Sequence, residues 1–434
     1  MYFDADFWNS FMVQASVAEP ALRYAMVALG ILAEQRELRD IGDAVNFRGT
    51  HLTDEDSAVM SVPTRITETD PVALRSYNNS VSLLSKMVLS PGTTDKILLA
   101  CILFICIELL RGDTEAAVNH FRGGMAIITD HMSRVGGSPS TRSMSDQVSN
   151  RLLPFFNRLE MLYALDGYDA SWQYPTTLSE SIPVFFVSLE HARDSLVNLL
   201  NLSLRFVRSM GLSMYKTSAI PALALEEQMA LLSQLLLWRQ LLSAYQAKHG
   251  SHFTSKELYA CNVLEIQRLV AYTWVSVATS PFETAHDLHI QAYTAAVSLA
   301  EQLPALASAH TQSSRYINTF TADVELVGPI HWVAINCREP SVRRRAIAVL
   351  RGLHRREGLW DSRMAAAIAE RVVAIEEAGL VLGDGEPSEE ARVHYSFTDS
   401  WAGVASDCYS ITHRLKPGGV WGEWEDRVEH FTLR

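Results

Sequence analysis

Between Asp95 and Ile128 the chain reads as two long apolar helices separated by only three residues, Arg111-Gly112-Asp113. Glycine ends a helix because it tolerates a left-handed backbone, and an aspartate directly after it can cap the next one. Two helices joined so tightly must fold back on each other as an αα-hairpin. The first of them, Ile97 to Leu110, is the most apolar stretch of the sequence but runs for 14 residues and contains Glu108. A membrane span needs about 20 apolar residues, so a buried core helix is the expectation. Helical spacing of this kind dominates the rest of the chain and strand-like alternation is nearly absent, which confines the fold to the all-α class.

Start and stop signals place further helices. Ala21 to Gln35 follows Glu19-Pro20, and Pro71 to Leu89 follows Asp70, with proline at the first helical position. Thr254-Ser255-Lys256-Glu257 and Ser280-Pro281-Phe282-Glu283 both fit the capping box, in which hydroxyl and carboxylate satisfy orphan N–H groups reciprocally. After Asp361, the residues Met364, Ile368, Val372 and Ile375 share one face. Loops are expected at 46–69, 133–146 and 379–390, a short extended segment at Val393 to Phe397, and a tail whose Trp401, Trp421 and Trp424 fold it back onto the body. The sequence therefore predicts a large array of about a dozen helices in stacked antiparallel pairs, with little or no sheet. Residues 1–380 form the helical domain, with a junction between lobes near 133–146, and 381–434 form a C-terminal tail packed on it.

Composition excludes several functions. With 37 basic and 49 acidic residues the net charge is −12, a poor balance for neutralising phosphates, so the chain is not expected to bind DNA directly. The five cysteines, Cys101, Cys106, Cys261, Cys337 and Cys408, include no C-x-x-C pair and no metal-ligand spacing. They read as reduced thiols of a nuclear or cytoplasmic protein. No cationic leader opens the sequence. Phosphate-cradling loops, nucleophile elbows and zinc-protease spacings are absent, so no cofactor, metal or catalytic residue is assigned.

Two regions carry a family likeness. Phe7-Trp8 through Gln14-Ala15-Ser16, Glu19 to Ala25 and Ala28-Leu29-Gly30 resemble the opening of the regulatory domain of fungal zinc binuclear cluster transcription factors, and Ala73 to Leu84 resembles its next recurring element. Towards the other end, Pro329-Ile330-His331, Cys337-Arg338-Glu339-Pro340, Arg343 to Ile347 and Arg356 to Asp361 resemble its C-terminal part. The resemblance runs over residues 2–380. It implies a transcription regulator, whereas the six-cysteine DNA-binding module is not found in these residues and Met1 stands almost at the domain's first helix. Such a protein is expected to act through a small-molecule effector, a protein partner or a homodimer, in control of a metabolic gene cluster of the secondary-metabolite type. The competing expectation is a regulatory domain reused as a biosynthetic enzyme with a pocket between helices.

Candidate residues follow from the same stretch. His331, Trp332, Cys337 and Arg338 are the candidates for lining a ligand pocket between helices. A spacing of six turns His331 away from Cys337 on a helix, so an imidazole-activated thiolate is not expected. The family-motif residues Arg343, Arg344, Arg345, Arg356, Glu357, Trp360 and Asp361 are expected to be structural. The arginine-rich helix, which also holds Arg351 and Arg355, is expected to be a solvated face paired with acids on neighbouring helices, since no aromatics interleave to stack on bases. His286 and His289, three residues apart, read as a polar helix face without a third metal ligand.

Overall fold

A computed structural model describes residues 3, 6–49, 70–87, 93–135, 151–165, 182–215, 220–308, 320–380, 385–398 and 408–432. Among them are thirteen α-helices in chain order: α1 Met12–Ala18, α2 Pro20–Gly49, α3 Pro71–Met87, α4 Thr94–Arg111, α5 Thr114–Val135, α6 Leu153–Leu165, α7 Leu189–Met210, α8 Ala222–His249, α9 Ser255–Val277, α10 Ile290–Ser308, α11 Val327–Asn336, α12 Pro340–Leu353 and α13 Ser362–Glu376. The fold is predominantly α, as the periodicity requires. Three of the start signals act as read. Asp70 accepts from the N–H groups of Val72 and Ala73, and Asp113 accepts from Ala116. Thr254 and Glu257 close a full capping box on α9. Gly112 ends α4 in the left-handed region at φ 83°.

The helices neighbour one another mostly in sequence order: α2 with α3 and α4, α4 with α5, α6 with α7, α8 and α7 with α9, and α9 with α10. Helix α4 is apolar around its whole circumference and every residue from Leu98 to Leu109 is buried, which is the pattern of a central core helix. A continuous apolar core runs from Phe3 to Ala369. The largest fully buried side chain is Trp238, whose indole N–H donates to the Ala192 carbonyl at 3.0 Å.

Several boundaries differ from the sequence reading. Helix α2 continues to Gly49, past the expected loop start at Asn46, and a helical segment from Phe7 to Ala18 precedes it. Most of the expected lobe junction, most of the expected 46–69 loop, and Trp401 lie outside the described residues. Two small sheets are present. Phe320–Thr321 (β1) pairs in parallel with Arg356–Glu357 (β2), which pairs antiparallel with Trp360–Asp361 (β3). Val393–Thr398 (β4), Cys408–Leu415 (β5) and Glu425–Thr432 (β6) form an antiparallel sheet in sequence order. This second sheet lies on α13: Met364 and Ile368 meet Ile411 and Phe431, and Val372 and Ile375 meet Val393 and Leu415. The apolar face of α13 read from the sequence thus serves the sheet, while Ala365, Ala366 and Ala369 join the main core.

The turn between β2 and β3 depends on Gly358, at φ +55°, whose N–H donates to the Thr321 carbonyl at 2.7 Å. A Cβ added there would overlap the Leu162 side chain. Gly358→Ala combines a strained backbone with overpacking and is expected to cost about 1–3 kcal/mol. Gly30, exposed in the middle of α2 with nothing within 4 Å of an added Cβ, gives the opposite sign. Gly30→Ala should stabilise by up to about 1 kcal/mol. Urea midpoints of the two variants check both.

Candidate functional site

The segment Cys337-Arg338-Glu339-Pro340 leaves the helical region between α11 and α12. Proline disfavours a helical residue before it, and Glu339 sits accordingly at φ −64°, ψ 117°. Its carboxylate accepts from the Val342 N–H at 2.7 Å, capping α12, while Pro340 takes the first helical position. This extended step turns Arg338 inward. Its guanidinium donates to the Asn336 carbonyl at 2.9 Å, to Glu283 at 3.0 Å, to Glu376 at 2.9 Å and to the Val393 carbonyl at 3.2 Å. Arg343, one turn into α12, donates to the other Glu376 oxygen at 2.8 Å. Glu376 also accepts from the Val393 N–H at 2.9 Å. The side chains of Arg338, Arg343 and Glu376 are all 0% exposed. Burial disfavours the Glu376 carboxylate, yet the two guanidiniums outweigh it and hold the carboxyl below its ordinary value.

A second layer surrounds Arg338. The 3-10 turn Glu283–His289 supplies Glu283, whose carboxylate lies 3.5 Å from His394 Nδ1 on β4 and 3.8 Å from His286 Nε2. The Tyr215 hydroxyl approaches His394 Nδ1 at 2.8 Å, and His286 Nδ1 lies 2.7 Å from the Tyr293 hydroxyl. His286 packs edge-on against Trp332, which packs edge-on against Trp274. Burial raises the Glu283 carboxyl to about 7, and burial likewise lowers His394 to about 4 and His286 well below the usual imidazole value. The polypeptide beyond α13 is fastened to the same turn. Glu389 accepts from the N–H groups of Glu283 and Thr284, both at 2.8 Å, and Arg392 forms a two-pronged pair with Asp287 at 2.7 and 2.8 Å.

A separate charged centre stands at the start of α11. The Glu357 carboxylate, 0% exposed, accepts from the N–H groups of Glu325, Leu326 and Val327 at 2.8–3.0 Å. Arg355 closes it, donating to Glu325 at 2.7 Å and to the Tyr259 hydroxyl at 3.1 Å. Arg356 donates to the Gly358 carbonyl at 2.8 Å, and Asp361 caps α13 by accepting from Arg363 and Met364.

The four pocket candidates do not converge. Trp332 and Arg338 border the Glu283–His286 layer. His331 points elsewhere: its Nδ1–H donates to the Ala365 carbonyl at 3.0 Å, its ring lies 5.3 Å from that of Trp360, and burial lowers it to about 4. Cys337 is buried, and burial pushes its thiol up to about 11, which removes thiolate chemistry at neutral pH. The arginine face divides as well. Arg344, Arg345 and Arg351 pair on the surface with Glu377, Glu301 and Glu370. Arg338 and Arg343 are fully internal, unlike the solvated face expected. His286 is a buried residue of a 3-10 turn, which overturns its reading as a polar helix face. The second expected capping box does not form: the Ser280 hydroxyl accepts from the Phe282 N–H, and Glu283 turns inward.

Glu283, Glu376, His394 and Tyr215 were not legible as site residues. One signal existed for Glu376: a carboxylate in the last turn of a helix opposes the helix dipole and calls for a compensating cation. Chemically, the arrangement locks a helix end, an inter-helix link, a 3-10 turn and a strand into one charge-balanced unit. Among the described residues no group of three or more His, Cys, Asp or Glu is placed to hold a metal ion, and no helix is long and apolar enough to cross a membrane.

The profile of the family described as "Fungal specific transcription factor domain" matches residues 5–372. The chain is 20% identical over 414 residues to the aspercryptin biosynthesis cluster-specific transcription regulator of Emericella nidulans, an alignment covering 74% of this chain and 65% of that protein. The chain therefore spans just under two thirds of the length of this relative. No solved structure matches it.

Glu376→Gln removes the charge shared by two buried arginines and is expected to cost about 3–5 kcal/mol, whereas Arg344→Ala on the surface should cost no more than about 1 kcal/mol. Chemical denaturation separates the two. A pH series tests Glu283. Its folded value is raised, so its contribution to stability is full below about 4.5 and is lost as pH rises towards 7. The depressed histidines act oppositely, favouring the fold above their ordinary value of 6.5 and losing that contribution as pH falls towards 4. The stability of wild type relative to Glu283→Gln should therefore be higher at about pH 5 than at about pH 8, read as the difference in urea midpoints.

Proposed function

Because the chain belongs to the family of fungal-specific transcription factor domains, we propose that it is the regulatory part of a transcription regulator, acting in the nucleus on a metabolic gene cluster. The observation that carries this reading is the family match across residues 5–372, which takes in α1 through most of α13, the Arg355–Glu357 centre, and the arginines Arg338 and Arg343 of the other centre. The relative named for control of a biosynthesis cluster supports the cluster context. The acidic balance of the chain and the ion-paired state of Arg344, Arg345 and Arg351 support a role that works through protein contact or effector sensing and leaves DNA recognition to other residues. Within this role, the Glu283–His286–His394 layer around Arg338 is where effector binding or partner contact would be felt by four separate elements at once.

Tethering the chain to a heterologous DNA-binding module upstream of a reporter tests the proposal. Reporter output should change several-fold relative to the module alone. Glu376→Gln, which disrupts the shared centre, should return it towards baseline. A reporter that does not respond to the tethered wild-type chain, expressed and nuclear, overturns the regulatory reading.

A further inference from the structure

Among the described residues the sheet β4-β5-β6 ends on β6, whose only strand partner is β5. An edge strand offers a row of unpaired N–H and C=O groups, and proteins commonly blunt such edges with charge. The sequence of β6 is charged, Glu425-Asp426-Arg427-Val428-Glu429-His430-Phe431, but its charges are arranged unusually. Around Val428 they are complementary to themselves. When two copies of the strand run antiparallel about a two-fold axis through Val428, Arg427 faces Glu429 of the second copy, Asp426 faces His430, and Val428 faces Val428. Opposite charges directly across an antiparallel pair are favourable, like charges are not, and here no like pair arises.

We propose that β6 is a homodimerisation edge, on which a second copy of this chain adds its own β6 to make a continuous six-stranded antiparallel sheet. The register already present within the sheet supports this occupant. Phe397 lies opposite Thr412, and Thr412 opposite Val428. The axis would extend this row to Phe397-Thr412-Val428-Val428-Thr412-Phe397, an uninterrupted line of aromatic and β-branched side chains on the outer face. The next row, Tyr395-Arg414-Asp426, would end on His430 of the second copy, placing acid between two basic groups. Val428 is 56% exposed and Phe397 44% exposed, so the row is available. On the inner face Arg427 pairs with Glu425 and Glu429 with Arg371 of α13, so the crossing Arg427–Glu429 contacts would join two ion pairs into a network. A two-fold contact of this sort closes on itself and does not propagate to fibres. Such a dimer neither requires the regulatory role nor is required by it.

Sedimentation of the full 434-residue chain across a range of concentrations, beside Val428→Lys, Arg427→Glu and Val428→Cys, provides the test. Wild type should show a concentration-dependent dimer. Val428→Lys sets two ammonium groups against each other on the axis, and Arg427→Glu sets acid against Glu429. Each should weaken association by about ten-fold or more while leaving the circular dichroism spectrum unchanged. Under mild oxidation Val428→Cys should form a disulfide-linked dimer far faster than Val17→Cys, an exposed control on α1. Two results overturn the proposal. One is a wild-type chain that stays monomeric while the V428C variant cross-links no faster than the V17C control. The other is a dimer that both charge variants leave intact. Should Val428→Lys misfold, Arg427→Glu and the cross-linking rate still decide.

Discussion

The structure turns on one carboxylate shared by two guanidiniums in a place without water. Taking Arg338, Arg343 and Glu376 out of solvent costs several kcal/mol per ion, and attraction offsets this only where geometry is good and the remaining donors and acceptors are used. The geometry is good and most donors and acceptors are used, with Arg338 Nε and one terminal nitrogen of Arg343 left without a hydrogen-bond partner. Each Glu376 oxygen receives one arginine, and Arg338 also donates to the Asn336 and Val393 carbonyls. The consequence is architectural. The end of α11, the start of α12, the last turn of α13, the Glu283 turn and β4 must all be in place for the full set of these contacts to form. A centre of this kind contributes less to net stability than to fixing one arrangement of those five elements over others of similar compactness.

Two buried carboxylates show how helix ends set the terms. Glu357 lies at the N-terminal end of α11, where three backbone N–H groups, the positive end of the dipole and a single arginine favour a negative charge, while burial and the neighbouring Glu325 still hold its carboxyl above the ordinary value. Glu376 lies in the last turn of α13, where the dipole opposes it. Two arginines are needed there. Lysine would serve poorly at Arg338, because one ammonium cannot aim donors at two carboxylates and two carbonyls lying in different directions around a planar fork.

The fold was legible because its information is local and repeated. Apolar positions at helical spacing, Gly112 after α4, and the caps at Asp70, Asp113 and Thr254 each act within a few residues. The C-terminal sheet was mostly illegible for the converse reason. In β6 the inward positions include Arg427 and Glu429 as well as Phe431, so the alternation of apolar and polar residues that marks a half-buried strand is missing. Only the segment around Val393 stood out. The site failed on a different ground. The Ser280–Glu283 pattern satisfies the capping-box spacing, but a carboxylate beside a buried guanidinium gains more from it than from a partly solvated N–H, and Glu283 goes inward. Helical spacing likewise could not separate Arg343, which is internal, from Arg344 and Arg345, which are not, because their difference is made by α13 packing across the helix.

The family match ends at residue 372, and the charge balance does not. Arg338 and Arg343 lie inside the matched span; Glu376, Val393, Glu389 and Arg392 lie beyond it. A helical body with two internal guanidiniums and no Glu376 would carry uncompensated charge, the situation that destabilises buried ion pairs most. In this chain Glu376, Glu389, Arg392 and Val393 are therefore part of the electrostatic core. Its apolar contacts alone, Met364 and Ile368 with Ile411, and Val372 with Val393 and Leu415, form two small clusters outside the continuous core. Charge pairing and these clusters must act together to hold the sheet, so what disturbs the Glu283–Glu376 centre should reach β4 before it reaches the helices around α4.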